Sequence, residues 1–149
     1  MQYAKYSTAR RRSGRRDINS AMRREDLERW LEAYGRAWEI LDAKAAAELF
    51  TVDATYQETP FVAPLKGRSA ILEYWRHVAR TQEKVRFRFE IVSCDGDYAV
   101  ARWNSRFVRL PMRLQVELDG IFLLTFDAGN RCTSLREWWH RREIATGGS

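Results

Sequence analysis

The hydrophobic period of this chain changes once, near Thr81, and that change limits the possible folds more than any other feature. Before it, Leu27, Trp30, Leu31, Tyr34, Trp38 and Leu41 recur at three- and four-residue steps, which puts them on one face of a helix over residues 25–41. Asp42 stands where it can cap a short second helix over 43–50, a run rich in helix-favouring alanine. An extended segment is expected over 54–59. The stretch between Pro60 and Pro64 reads as loop, because proline removes a donor and fixes φ. After Gly67 a third helix is predicted over 69–81, with Ile71, Leu72, Trp75 and Val78 as its apolar stripe.

Beyond Thr81 the period is two. Residues 85–93, 98–110, 113–126 and 132–142 alternate or run apolar between turn signals at Asp95-Gly96-Asp97, Pro111-Met112 and 127–130. Long strands joined by tight turns make an antiparallel meander. Helices followed by strands define an α+β class: three N-terminal helices packed on a curved antiparallel sheet, forming a cone around an apolar pocket.

A chain of 149 residues suits one domain. Its charge of +6 suggests nucleic acid until it is located. Residues 1–24 hold eight cations (Lys5 and seven arginines) against Asp17 alone, a surplus of seven, so the other 125 residues sum to −1. Phosphate attraction is therefore confined to residues 1–24, expected as a basic disordered arm. Residues 25–143 form the domain and 144–149 a flexible tail. No apolar run reaches the ~20 residues of a membrane span, and the start lacks the apolar segment of a secretory signal, so a cytoplasmic location is expected. Cys94 and Cys132 fit free thiols. With His77 and His140 the only histidines, neither a metal nor a cofactor is expected.

Three segments carry a resemblance: 49–60 (Leu-Phe-Thr-Val-Asp-Ala-Thr-Tyr-Gln-Glu-Thr-Pro), 67–71 (Gly-Arg-Ser-Ala-Ile) and 135–140 (Leu-Arg-Glu-Trp-Trp-His). Together with the element order, they resemble the nuclear transport factor 2-like superfamily, which includes ketosteroid isomerase, limonene epoxide hydrolase and SnoaL-like polyketide cyclases. The resemblance covers residues 25–143. It implies the fold, but no single activity, because this scaffold hosts isomerases, cyclases, dehydratases, hydrolases and noncatalytic modules.

By this resemblance Glu58 falls where ketosteroid isomerases carry their general base, and Tyr34 where they carry an oxyanion-holding tyrosine. The second oxyanion donor of that family would fall at Phe122, which cannot donate. Against limonene epoxide hydrolase, Tyr56 and Glu58 resemble its water-positioning Tyr and Asn, and Glu137 resembles an aspartate on the last strand. The other two members of its Asp-Arg-Asp device would come from the strand around Trp103 and Ser105, neither of them ionisable. The chemistry suits such residues. A carboxylate in an apolar pocket becomes a better base near neutrality, and a tyrosine hydroxyl donates to an enolate oxygen.

The expected catalytic set is thus Glu58, Tyr34, Glu137 and Tyr56. Trp38, Trp75, Trp103, Phe122, Leu135 and Trp139 are expected as pocket wall or core, suiting a flat apolar ligand such as a polyketide, terpenoid, steroid or aromatic acid. His140 alternates out of phase with Glu137 and is expected on the outer face. Arg102, Arg106, Arg109 and Arg113 are expected in cross-strand ion pairs with Glu117 and Asp119 on the convex side. Two readings follow. One is a cofactor-independent acid–base enzyme (isomerase, cyclase, dehydratase or hydrolase) acting on a small hydrophobic molecule. The other is a noncatalytic ligand-binding or dimerisation module, its convex face forming a homodimer. The state of the pocket separates them.

Overall fold

A computed structural model describes residues 22–144, so most of the basic arm and of the tail lie outside the described residues. Arg24 already opens the first helix, and Ile144 closes the last strand. The helices are α1 (Arg24–Glu39), α2 (Ala43–Glu48) and α3 (Arg68–Thr81). The strands are β1 (Phe50–Gln57), β2 (Leu65–Lys66), β3 (Gln82–Asp95), β4 (Tyr98–Arg109), β5 (Leu114–Phe126) and β6 (Cys132–Ile144).

The apolar stripe of α1 is the face that packs: Leu27, Trp30, Leu31, Tyr34 and Trp38 are all buried. Leu41 is not part of it, since the helix stops at Glu39 and Leu41 takes a positive φ of 57° in the connection. Asp42 caps α2 as its side chain suggests, accepting from the Ala45 amide at 2.9 Å. On α3, Ile71, Trp75 and Val78 face inward. The Arg68 guanidinium donates twice to the Phe50 carbonyl, at 2.9 and 2.7 Å, and so ties the start of α3 to the start of β1.

The sheet is one curved, unclosed layer in the order β2-β1-β6-β5-β4-β3. The meander from β3 to β6 is antiparallel throughout, as the alternation requires. The sheet as a whole is not: β1 pairs parallel with β6, and the two residues of β2 add an antiparallel edge to β1 inside what reads as loop. A parallel partner some 80 residues away leaves no local signal, and β1 itself does not alternate cleanly.

Side chains along β4 to β6 sort into two faces. Toward the helices lie successive cross-strand rows: Ala101–Phe122–Glu137, Trp103–Gly120–Trp139 and Ser105–Leu118–Arg141. On the opposite face, Arg102 pairs with Asp119 at 3.0 Å and Arg106 with Glu117 at 3.5 Å. Arg113 reaches Glu83, at 3.6 Å. Arg109 breaks the expected pattern. It follows Phe107 by two residues and therefore faces the helices instead of joining the convex ion pairs.

Candidate functional site

The rows just described, closed over by α1 and α3, leave one cavity at the centre of the cone. Its lining includes Tyr34, Trp38, Tyr56, Glu58, Tyr74, Trp75, Trp103, Glu137 and Trp139, with Gln82, Arg109 and Arg141. The cavity encloses about 60 Å³, room for a few waters and well below the roughly 300–1,000 Å³ of ordinary ligand sites. The apolar pocket expected from the sequence is therefore both narrower and more polar. Aromatic packing is the reason. Trp103 stacks on Phe122 with ring centroids 5.0 Å apart, and Trp38 sits against Trp75 and Trp103 at 5.6 and 5.9 Å. Phe122 and Leu135 are wholly buried and do not line the cavity; of the expected wall, Trp38, Trp75, Trp103 and Trp139 do.

All four expected catalytic residues converge on this cavity. The parallel register brings them together: Tyr56 pairs with Leu135 and Gln57 with Arg136, so one step further Glu58 comes alongside Glu137. Their surroundings differ sharply. Glu58 leaves the end of β1 and is exposed, whereas Glu137 is 5% exposed and makes no side-chain hydrogen bond among the described residues. Burial holds the Glu137 carboxyl well above the usual carboxylate range, and the neighbouring charge of Glu58 raises it further. The buried acid of the pair is thus Glu137, whereas the sequence-based expectation of a carboxylate enclosed in the pocket falls on the exposed Glu58.

Three tyrosines adjoin the carboxylates. The hydroxyls of Tyr34 and Tyr56 share a hydrogen bond of 3.1 Å. Tyr74 packs its ring on Tyr56, with centroids 5.1 Å apart, and lines the cavity with Glu58. All three are held well above the ordinary tyrosine value, by burial first and then by the charge of Glu137, so they remain protonated donors. Tyr74 is missing from the sequence-derived set, although it lies three residues after Ile71 and beside Trp75, at the edge of the α3 stripe.

The rim is defined by Trp139, whose indole donates to the Glu58 carbonyl at 3.1 Å. The buried indole N–H groups of two lining residues, Trp75 and Trp103, and the buried Ser105 hydroxyl find no partner among the described residues. His140 is on the outer face, in an open groove with Phe61, Ile121 and Trp138. Among the described residues no group of three or more His, Cys, Asp or Glu is arranged to hold a metal, and no helix is long and apolar enough to cross a membrane.

Comparison with known proteins places this architecture. A family model described as a SnoaL-like domain matches residues 27–134. No curated protein matches. Among solved structures, the epoxide hydrolase/cyclase-like enzyme SalBIII of pyran ring formation in the polyether salinomycin is 20% identical, over 78% of this chain and 88% of that one, with a TM-score of 0.65. A protein of ketosteroid isomerase-like fold from Catenulispora acidiphila, in complex with trimethylamine, is 20% identical over 73% and 83%, at 0.65. A computationally designed 17-OHP binder is 16% identical over 80% and 97%, at 0.68. At these identities the structures share the fold. With the family model spanning most of the cone, the chain belongs to the SnoaL-like domain family, within the nuclear transport factor 2-like superfamily.

Proposed function

We propose that this protein is a cofactor-independent acid–base enzyme acting on a small, largely hydrophobic molecule in the central cavity. The observation that carries the reading is the unlike pair of carboxyls: exposed Glu58 beside buried Glu137. Environments that separate two such groups assign them opposite roles. Glu58 is the base that removes a proton from a carbon next to a carbonyl. As that C–H bond breaks, its electron pair moves to the carbonyl oxygen, and the protonated hydroxyls of Tyr34, Tyr56 and Tyr74 supply donors for the enolate. Neutral Glu137 returns a proton to the product, as in an isomerase or cyclase; the same pair serves a dehydratase when Glu137 protonates a hydroxyl that leaves as water, and a hydrolase when water is the nucleophile. A cytoplasmic location and a homodimer belong to the same proposal, the dimer contact lying on the outer face where Ile121 and Trp138 are exposed.

The narrowness of the cavity favours a second reading, a noncatalytic module whose aromatic core largely fills its own pocket. One solved structure of this fold is a computationally designed 17-OHP binder. The two separate in a thermal-shift screen of the wild type and Glu58→Gln against apolar ketones, epoxides and aromatic acids, followed by product analysis. Turnover lost in Glu58→Gln with binding kept supports the enzyme. Equal binding by both proteins, with product from neither, supports the module.

A further inference from the structure

Arg109 and Arg141 are the two cations on the cavity lining. Arg102 and Arg106 answer carboxylates on the convex face. Arg109 has no ion pair among the described residues. Arg141 engages Glu143 through one guanidinium nitrogen, which leaves most of its five N–H donors uncommitted. Partial burial lowers the Arg141 pKa, and the charge of Arg109 lowers it further, so the two like charges act on each other. Neither arginine figures among the influences on Glu137.

The neighbouring side chains offer the same polarity. Gln82 uses its carbonyl oxygen to accept from the Trp38 indole at 2.7 Å, so its amide N–H₂ is what remains for a ligand. The indole N–H groups of Trp75 and Trp103, two residues of the same lining, are buried and without a partner among the described residues, a state costly enough to call for an acceptor. Apart from Glu58, Glu137 and the tyrosine hydroxyls, the polar side chains of this lining therefore offer donors. Along β6, Glu137 and Arg141 share a face four residues apart, about 13 Å between Cα atoms at ~3.3 Å per residue.

We propose that Arg109 and Arg141, with the indole N–H groups of Trp75 and Trp103, bind the carboxylate of the ligand, so that the substrate is a small organic acid with its anionic end at the arginines and its reacting end at Glu58 and Glu137. This rests on the reading of the cavity as a small-molecule site. Arginine's planar fork matches a carboxylate better than any neutral isostere, and leaving buried donors unpaired excludes the uncharged analogue.

The test is calorimetric titration of the protein of residues 1–149 with propionate and phenylacetate, and with propionamide and phenylacetamide as neutral counterparts, repeated on Arg109→Met, Arg141→Met and Glu58→Gln. The expected result is acid binding at least tenfold tighter than amide binding, loss of that preference in either arginine variant, and its retention in Glu58→Gln. Quenching of tryptophan fluorescence by the acids would locate them beside Trp75 and Trp103, and loss of that quenching in Trp75→Phe and Trp103→Phe completes the assignment. Amides binding as tightly as acids, or acids binding unchanged to both arginine variants, would overturn the proposal. Acid binding without turnover of any acid leaves it standing and counts instead against the enzyme reading; binding of neither acids nor amides overturns both.

Discussion

Glu58 and Glu137 lie one step beyond the last β1–β6 pair, side by side on parallel strands, yet one is open to solvent and the other is buried. Parallel pairing produces this contrast. It aligns the end of β1 with the middle of β6, so a residue leaving the sheet is set beside one enclosed by it. Every consequence below stems from that placement or from the packing around it.

Glu137→Gln is expected to stabilise the fold at neutral pH by roughly 0.5–2 kcal/mol, as removing a destabilised functional group commonly does. The pH dependence has a definite sign. In the folded protein the carboxyl holds its proton above the ordinary value of 4.5, so the native state binds more protons than the unfolded one. Its contribution is fully present below that value and is lost as pH rises through the folded pKa. Urea unfolding from pH 4 to 9 should show this decline in the wild type and a flatter profile in Glu137→Gln.

Tyr56→Phe and Tyr34→Phe should cost similar amounts. Their hydroxyls share one buried hydrogen bond of 3.1 Å, which either variant removes. One lost buried hydrogen bond is worth about 1 kcal/mol. A double-mutant cycle by chemical denaturation should return a coupling between the two, since they share that bond.

Gly120→Ala should be strongly destabilising for its size. A Cβ at Gly120 would lie 2.5 Å from the Trp138 carbonyl oxygen and 2.8 Å from the Trp139 Cβ. The nearest obstacle is backbone, so β5 and β6 must separate. Overpacking of this kind costs typically 1–3 kcal/mol, and the displaced Trp139 would loosen its 3.1 Å bond to the Glu58 carbonyl. Thermal melts check the first effect, and loss of ligand response in the same variant checks the second.

Much of this was readable in the sequence, for physical reasons specific to each element. The α1 stripe from Leu27 to Trp38 and the strands of the meander show periods that burial enforces directly. The β1–β6 pairing depends on a contact distant in sequence and has no local trace. The inward turn of Arg109 is legible in the alternation, because the parity that turns Phe107 inward also turns Arg109 inward, while Arg102 and Arg106 fall on the other face. Convergence of Glu58, Glu137, Tyr34 and Tyr56 followed from the family resemblance. How far the aromatics fill the cone did not, since packing among Trp38, Trp75, Trp103 and Phe122 is a three-dimensional outcome with no linear signature.

Burial beside the charge of Glu58 holds the proton on the Glu137 carboxyl above the usual carboxylate range. Carbon-13 NMR titration of side-chain-labelled glutamate, with Glu137→Gln to assign its resonance, measures this directly. Glu137 is expected to titrate well above 4.5 in the wild type and at a lower pH in Glu58→Gln, where the neighbouring charge is gone. Titration of Glu137 at the ordinary carboxylate value in both proteins would contradict it.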